Sequence, residues 1–233
     1  MLFSLKCLPM RPKDLIFPFT WMERKPLFQD GVLYVPKYYG QHEGLDIKEF
    51  SLTLDSFSAI HIEYCSGNGS WVAEKARNSP ATLWIAVEKR FDRVQRIWSK
   101  KQNFSLKNLL VVCGEAVVFT KFYLRKEMLD QVFVNFPDPW PKERHAKHRL
   151  IQGKFIEELC RVLKPAGEVT LVTDDRLYSE QMLDEMQKSM MWNSVFIDPF
   201  YVTTLPGYGS SFFNDLWREQ GRDIRYMKFK RCI

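Results

Sequence analysis

The amino-acid sequence predicts a doubly wound α/β protein with a mostly parallel sheet, and three observations carry that prediction. Apolar runs rich in β-branched and aromatic residues recur without polar alternation, as at Leu83-Trp84-Ile85-Ala86-Val87, Leu109-Leu110-Val111-Val112-Cys113 and Val132-Phe133-Val134. Strands of that kind suit a sheet covered on both faces, the usual situation of parallel strands. Stretches of helical period lie between the runs, and parallel pairing needs crossovers of that type. The runs also lead into segments that carry an acid, at Glu88, Glu115 and Asp138, and open α/β sheets bind ligands outside the carboxyl ends of their strands.

In chain order, Met1 to Ser58 mixes prolines, aromatics and charges without a clear period. It is set apart as an amino-terminal extension of uncertain structure: a cap over the site, an arm toward a partner, or partly disordered chain. Residues 59–233 form the main domain. Ala59 to Tyr64 reads as its first strand, and Cys65-Ser66-Gly67-Asn68-Gly69-Ser70 as a glycine turn into a helix carrying Val72, Ala73 and Ala76. Glycines let backbone approach a ligand, and the helix start offers free N–H groups. Val72 stands where a dinucleotide fingerprint has a small residue, which argues against a nicotinamide cofactor. The next strand ends at Glu88, near the offset of about 20 residues at which an acid receives a ribose diol.

Phe91 to Lys101 reads as a crossover helix, and Leu109 to Cys113 as a strand running to Gly114-Glu115-Ala116. After the strand at Val132 to Val134, Gly153 to Leu163 reads as a helix, with Ile151, Phe155, Leu159 and Val162 on its apolar face and Lys164-Pro165-Ala166-Gly167 stopping it. Glu168 to Thr173 gives a fifth strand ending at Asp174-Asp175, Tyr178 to Met191 a further helix, and the tail two final strands, the last near Ile224 to Phe229. There is no internal repeat.

Glu63, Glu88, Glu115 and Asp138 all stand at strand ends, which share one rim in such a sheet. Singly, each reads as a surface acid, Glu88 pairing with neighbouring Lys89, Arg90 or Arg93. Their repetition favours a site. An acid-rimmed crevice suits a nucleoside with positive charge near its reacting atom, whereas a polyphosphate site would offer lysines and arginines. S-adenosylmethionine has that chemistry and is the expected cofactor. The chain has no glycine-rich loop ending in Gly-Lys-Ser/Thr, which argues against P-loop phosphoryl transfer.

The most informative stretch is Asn135-Phe136-Pro137-Asp138-Pro139-Trp140-Pro141-Lys142, followed by Glu143-Arg144-His145-Ala146-Lys147-His148-Arg149. Prolines on both sides hold Asp138 and Trp140 in a stiff, extended loop above a strand end. A lone Pro-Asp-Pro reads as a solvated turn; a strand before it and a basic run behind it favour a site. Lys142, Arg144, Lys147 and Arg149 against Glu143 suit an RNA backbone, with a solvated helix start as the plainer alternative. Arg218, Arg222, Arg225, Lys228, Lys230 and Arg231 form a second basic segment. His145 and His148 lack nearby partners for zinc, so no metal is expected.

Composition agrees with one enzyme domain. The 233 residues are 45% hydrophobic, enough for a sizeable core. A net charge of +6 and a pI near 9.0 favour an acidic partner such as nucleic acid. Cys7, Cys65, Cys113, Cys160 and Cys232 are odd in number and have no close pairs, consistent with reduced thiols in a cytoplasmic protein. No apolar run is long enough to span a bilayer, and the amino terminus lacks a secretory pattern, so no membrane association is expected.

Phe136-Pro137-Asp138-Pro139-Trp140-Pro141-Lys142, with His145, Lys147 and Arg149-Leu150 behind it, resembles the hallmark of the tRNA (guanine-N7)-methyltransferases. Further segments agree in order: Glu63 with Gly67 and Gly69, Val87-Glu88, Gly114-Glu115-Ala116, Leu163-Lys164-Pro165 and Thr173-Asp174, over residues 60–229. The resemblance implies a Rossmann-like, seven-stranded class I fold and methyl transfer from S-adenosylmethionine to a guanine in the variable loop of tRNA. It also implies cofactor contacts at Glu63, Gly67, Gly69, Glu88, Glu115 and Asp138, and substrate contacts at Lys142 and Asp174 and at Ser211 and Asn214, the last two within a carboxyl-terminal motif that includes Phe213, Trp217, Gly221 and Ile224. The chain has Cys65 where the family usually has Gly, Glu115 for Asp, Ser211 for Thr and Asn214 for Glu.

Guanine N7 carries an in-plane lone pair and no proton, so no general base is required. Catalysis reduces largely to alignment of N7, methyl carbon and sulfur. Asp138 is expected to act by accepting the guanine N1–H and amino protons, or by holding the cofactor's cationic end. Two rival readings remain from the sequence: a methyltransferase for another RNA base, and a catalytically impaired RNA-binding protein marked by the changes at Cys65 and Asn214. Monomer and homodimer both fit.

Overall fold

The computed structural model describes residues 9–19, 24–42 and 47–232. Strands are β1 (Leu27–Gln29), β2 (Val32–Val35), β3 (Ala59–Tyr64), β4 (Thr82–Glu88), β5 (Leu109–Gly114), β6 (Leu129–Asn135), β7 (Leu163–Thr173), β8 (Trp192–Ser194) and β9 (Arg225–Arg231). Helices are α1 (Lys48–Asp55), α2 (Ser70–Asn78), α3 (Phe91–Asn103), α4 (Ala116–Tyr123), α5 (Gly153–Val162), α6 (Arg176–Gln187) and α7 (Phe212–Glu219). They build one sheet of order β1-β2-β5-β4-β3-β6-β7-β9-β8. Every pair from β2 to β7 across the sheet is parallel, while β1, β8 and β9 pair antiparallel.

The expected mostly parallel, doubly wound sheet is present, with two strands more than the seven expected. The additional pair is the hairpin β1–β2, which adds to the edge of β5 in the register Val32↔Val111 to Val35↔Gly114. It comes from the segment before residue 59 that shows no period, because runs of three and four residues are too short to display one. β2 is nonetheless buried at all four positions.

Alternation along the strands divides the core into two layers. Ile60, Ile62, Tyr64, Leu83, Ile85 and Val87 point to a cluster with Phe50 of α1, Phe119 of α4, Phe155 of α5 and Tyr178 of α6. Trp84, Ala86, Leu109 and Val111 point to the opposite face, against Trp71 of α2 and Val94, Ile97 and Trp98 of α3. Gly69 is required by this second layer. At φ +74° it starts α2 against α3, and a Cβ there would meet Ile97 Cγ1 at 2.6 Å. α6 and α7 are capped through Asp175, which accepts from the Tyr178 N–H, and Ser211, which accepts from the Asn214 N–H.

The carboxyl-terminal half departs furthest from the sequence reading. β7 begins at Leu163, and the proline turn expected to stop α5 lies inside the strand, where a register shift opposite Leu129 and Gln131 absorbs it. The helix expected to run to Met191 ends at Gln187 and gives way to β8. Between the two final strands the tail forms α7, a helix that the alternation of the segment did not predict.

Strand order reverses between β3 and β6: the chain runs outward through β4 and β5, then returns to pair with the other side of β3. A crevice opens at such a reversal, outside the carboxyl ends of the strands. The acid-rim residues stand at these ends: Glu63 and Glu88 in the last positions of β3 and β4, Glu115 and Asp138 just after β5 and β6.

Candidate active site

At these strand ends lies a hollow of about 400 Å³ that gathers Glu88, Glu115 and Asp138 with Cys65, Lys147 and Arg149. Glu63 sits one layer deeper. It borders a small adjoining recess with Cys65, Ser66, Asn68, Asn135 and Ser211.

Glu63 is 2% exposed. Its Oε1 accepts from Asn135 Nδ2 at 2.7 Å, and Asn135 Oδ1 in turn accepts from the Tyr208 hydroxyl at 2.8 Å. Its Oε2 is buried with no hydrogen-bond partner among the described residues. Burial pushes this carboxyl up to about 7, against hydrogen bonds from Asn135 and Ser66 that lower it. Glu88, also buried, ties the end of β4 to the glycine turn: Oε2 accepts from the Gly67 N–H at 3.0 Å and Oε1 from the Arg90 N–H at 2.9 Å. Arg93 Nη1 lies 3.6 Å from it.

Glu115 and Asp138 stand at the lip. Glu115 Oε1 is 3.5 Å from Lys37 Nζ, and Asp138 Oδ2 is 3.0 Å from Lys89 Nζ. Proximity in sequence offered Lys89 to Glu88; the fold gives it to Asp138, across the mouth of the hollow. Asp138 side chain is 59% exposed, so this pair is screened by water and contributes little to stability.

Cys65 adopts φ +62° at the position where the family pattern has glycine. A non-glycine residue in the left-handed region carries strain of order 1 kcal/mol, and here the turn keeps the shape glycine would give it. Burial pushes the Cys65 thiol up, so it is neutral and unreactive near pH 7. Gly67 at φ +56° lies beneath the Phe213 ring, which a Cβ would approach to 3.2 Å.

The basic run divides. Lys147 lines the hollow, whereas Lys142 and Arg144 are exposed and lie outside it. Arg149 is a clamp for the proline loop: Nε donates to the Pro139 carbonyl at 2.7 Å, Nη2 to that of Trp140 at 3.4 Å, and Nη1 to Gln181 Oε1. Its guanidinium also lies over the Tyr178 ring, 5.2 Å from the centroid. His145 and His148 pack around Trp140 at 5.8 and 5.3 Å between ring centroids. No cluster of three or more metal-ligating side chains exists among the described residues.

The carboxyl-terminal candidates lie outside the hollow. Asp174 Oδ2 accepts from Arg222 Nη1 at 2.5 Å, and Arg222 stacks on Trp217 at 4.1 Å. Asn214 is 4% exposed; its Nδ2 donates to the Tyr226 hydroxyl and its Oδ1 accepts from Arg218 Nε at 3.0 Å. The amide thus joins α7 to β9. Ser211 caps α7 and borders the recess beside Glu63.

Residues 58–220 match a family whose description reads "Putative methyltransferase". A tRNA (guanine-N(7)-)-methyltransferase of Chlamydia caviae is 44% identical over 224 residues, 96% of this chain and 99% of that protein. The chain belongs to the tRNA (guanine-N(7)-)-methyltransferase family. A more distant member from Rubrobacter xylanophilus is 29% identical, over 71% of this chain and 73% of its own. Among solved structures, the 16S rRNA methyltransferase KamB aligns with a TM-score of 0.60 at 14% identity, covering 82% of this chain and 96% of its own. The antibiotic-resistance methyltransferase Kmr aligns at 0.55 with 18% identity, covering 78% and 91%. These likenesses place the fold with the class I methyltransferases.

Beyond the family motifs, the site rests on residues that sequence reasoning missed: Lys37, Lys89, Asn135 and Tyr208. Lys89 follows Glu88 and Asn135 precedes the Phe136-Pro137-Asp138 motif, and that adjacency was the available signal. Lys37 and Tyr208 join the site from distant segments and carry none.

Proposed function

We propose that this protein transfers the methyl group of S-adenosylmethionine to N7 of a guanine in the variable loop of tRNA. The observation that carries the reading is the single hollow at the β3/β6 reversal, rimmed by Glu88, Glu115 and Asp138 and bordered by the basic loop of Lys147. The enzymatic unit is taken as residues 59–233, with 1–58 as an extension that lends its hairpin to the sheet.

The residues fit the cofactor. The partnerless Glu63 Oε2 beside the glycine turn is an acceptor for an ammonium, and Gly67 and Gly69 allow close backbone approach. Glu88 retains lone pairs beyond those used by Gly67 and Arg90 and accepts ribose hydroxyls. Glu115 accepts from the adenine amino group. When bound, S-adenosylmethionine supplies an electrophilic methyl on a sulfonium. Asp138 positions the guanine by accepting from N1–H and the amino group, and no proton is removed from N7. Lys142, Arg144 and Lys147 contact RNA phosphates, with Arg149 acting through the loop it holds. Asp174 and Ser211 border the substrate's path, and buried Asn214 acts by holding α7 in place. Because Cys65 keeps the glycine-like turn, the active reading is favoured over an impaired RNA-binding protein.

Among the described residues no helix is long and apolar enough to cross a membrane. A tRNA substrate and the free cysteines among the described residues support a cytoplasmic enzyme, read here as monomer or homodimer.

The test is incubation of the purified protein with S-adenosylmethionine and a tRNA transcript, followed by nucleoside mass spectrometry. 7-Methylguanosine at a variable-loop position is expected. A different methylated base would redirect the reading to another RNA methyltransferase, and failure to bind S-adenosylmethionine by calorimetry would favour the non-enzyme.

A further inference from the structure

A second cavity, of about 480 Å³, opens beside the acid hollow and shares with it Lys37, Lys89, Gly114 and Glu115. Its walls are aromatic: Phe17 and Phe19 from the segment before β1, Tyr34 from β2 and Phe91 at the start of α3. These rings meet mainly edge to face, Phe17 with Phe91 at 4.9 Å, Phe17 with Tyr34 at 5.9 Å and Phe19 with Tyr34 at 5.8 Å. The Tyr34 hydroxyl is buried with no hydrogen-bond partner among the described residues. The polar lining is mostly cationic, with Arg24, Lys37 and Lys89 against the one carboxylate of Glu115.

We propose that this cavity receives an unstacked nucleotide of the tRNA, its base among the four rings and its phosphate at Arg24, Lys37 and Lys89. The assignment rests on the tRNA reading above and extends it to a subsite outside the reaction centre. Aromatic walls with a cationic mouth are the chemistry that holds single-stranded nucleotides, and the Tyr34 hydroxyl matches an acceptor on a base edge. The cofactor does not need this space, since the acid hollow alone is of the size that encloses a small-molecule ligand.

The mouth also connects the two cavities. Lys37 and Lys89, 52% and 47% exposed, hold Glu115 and Asp138. Exposed pairs of this kind yield readily to a better anion, so a phosphate here draws both lysines from the acids and frees them for cofactor and guanine.

The experiment uses the full chain saturated with S-adenosylhomocysteine and measures affinity for a tRNA transcript and for guanosine and uridine monophosphates. Arg24→Gln, at an exposed position, and Phe19→Leu, which keeps an apolar side chain, are compared with the wild type. In each variant tRNA affinity is expected to fall about tenfold, with binding of S-adenosylhomocysteine unchanged within about twofold. Weak monophosphate binding by the wild type that both variants lose gives further support. Unchanged tRNA affinity overturns the proposal. So does loss of S-adenosylhomocysteine affinity by the same factor, which makes the cavity part of the adenine seat, and so does tight monophosphate binding without any effect on tRNA. If the wild type methylates no tRNA, the functional reading itself fails; if it methylates tRNA and the variants bind normally, only this subsite fails.

Discussion

The acid hollow and the α7–β9 segment use similar polar residues in opposite ways. In the hollow, Asp138 and Glu115 are paired with half-exposed lysines from other loops, contacts that an incoming ligand can replace. In the carboxyl-terminal segment, Asn214, Tyr226 and Arg218 satisfy one another, with Asn214 and Tyr226 in the interior. Exposed pairs contribute little to stability and are easily exchanged; buried networks are costly to break. The first arrangement suits a binding site, the second a support that sets the position of α7 against the glycine turn through Phe213. Glu63 stands between the two: buried like the support, yet with one oxygen that has no partner among the described residues.

Substitutions separate these roles. Asp138→Ala is expected to lower the rate of tRNA methylation roughly a hundredfold or more, with an unfolding midpoint in urea matching the wild type; near-normal turnover would remove Asp138 from the mechanism. Glu63→Gln sharpens the intermediate case. The folded carboxyl titrates near 7, above its ordinary 4.5, so the stability it contributes is complete below about pH 4.5 and is lost as pH rises through 7. Glutamine does not ionise, so urea unfolding should show the variant gaining on the wild type across that interval, by roughly 3 kcal/mol at the alkaline end. A difference independent of pH would contradict burial as the cause.

Asn214→Ala should cost about 2 kcal/mol in the same measurement, because Tyr226 and Arg218 lose a buried partner, with activity falling in step with folded protein. A variant as stable as the wild type but inactive would move Asn214 from support to substrate contact. Lys142→Gln with Arg144→Gln should weaken tRNA binding and reduce the dependence of log affinity on log salt by about two, leaving S-adenosylmethionine binding unchanged. The smallest effect is expected for Lys89→Met on stability, within about 0.5 kcal/mol; a larger loss would show that the pair with Asp138 is structural.

The same contrast explains what the sequence made legible. β3 is read with the bounds it has in the structure, and β4, β5 and the strand before Asp138 at the right places, because each is a continuous apolar run closed by a polar turn. The acids at their ends follow from position along the chain. Pairings set by the fold were not legible: Lys89 meets Asp138 from 49 residues away, and Tyr208 reaches Asn135 from 73. The hairpin of β1 and β2 escaped because its strands are too short to show a period. α7 lies in a tail whose alternation suits strands, although Ser211 offers a helix cap and Phe213 and Trp217 fall one turn apart. The acid rim also looked more available than it is, since the sequence did not reveal that Glu115 and Asp138 have lysine partners.

The central claim is that Asp138 and the surrounding acids align an unprotonated guanine N7 with a sulfonium methyl. It is tested most directly with tRNA in which the target guanosine is replaced by 7-deazaguanosine, measuring methyl incorporation and affinity together. The base keeps the N1–H and amino donors from which Asp138 is proposed to accept, so binding should remain within about threefold of the unmodified tRNA while methyl transfer disappears. Methyl incorporation at the normal rate into the 7-deaza substrate would contradict N7 as the acceptor and the alignment built on it.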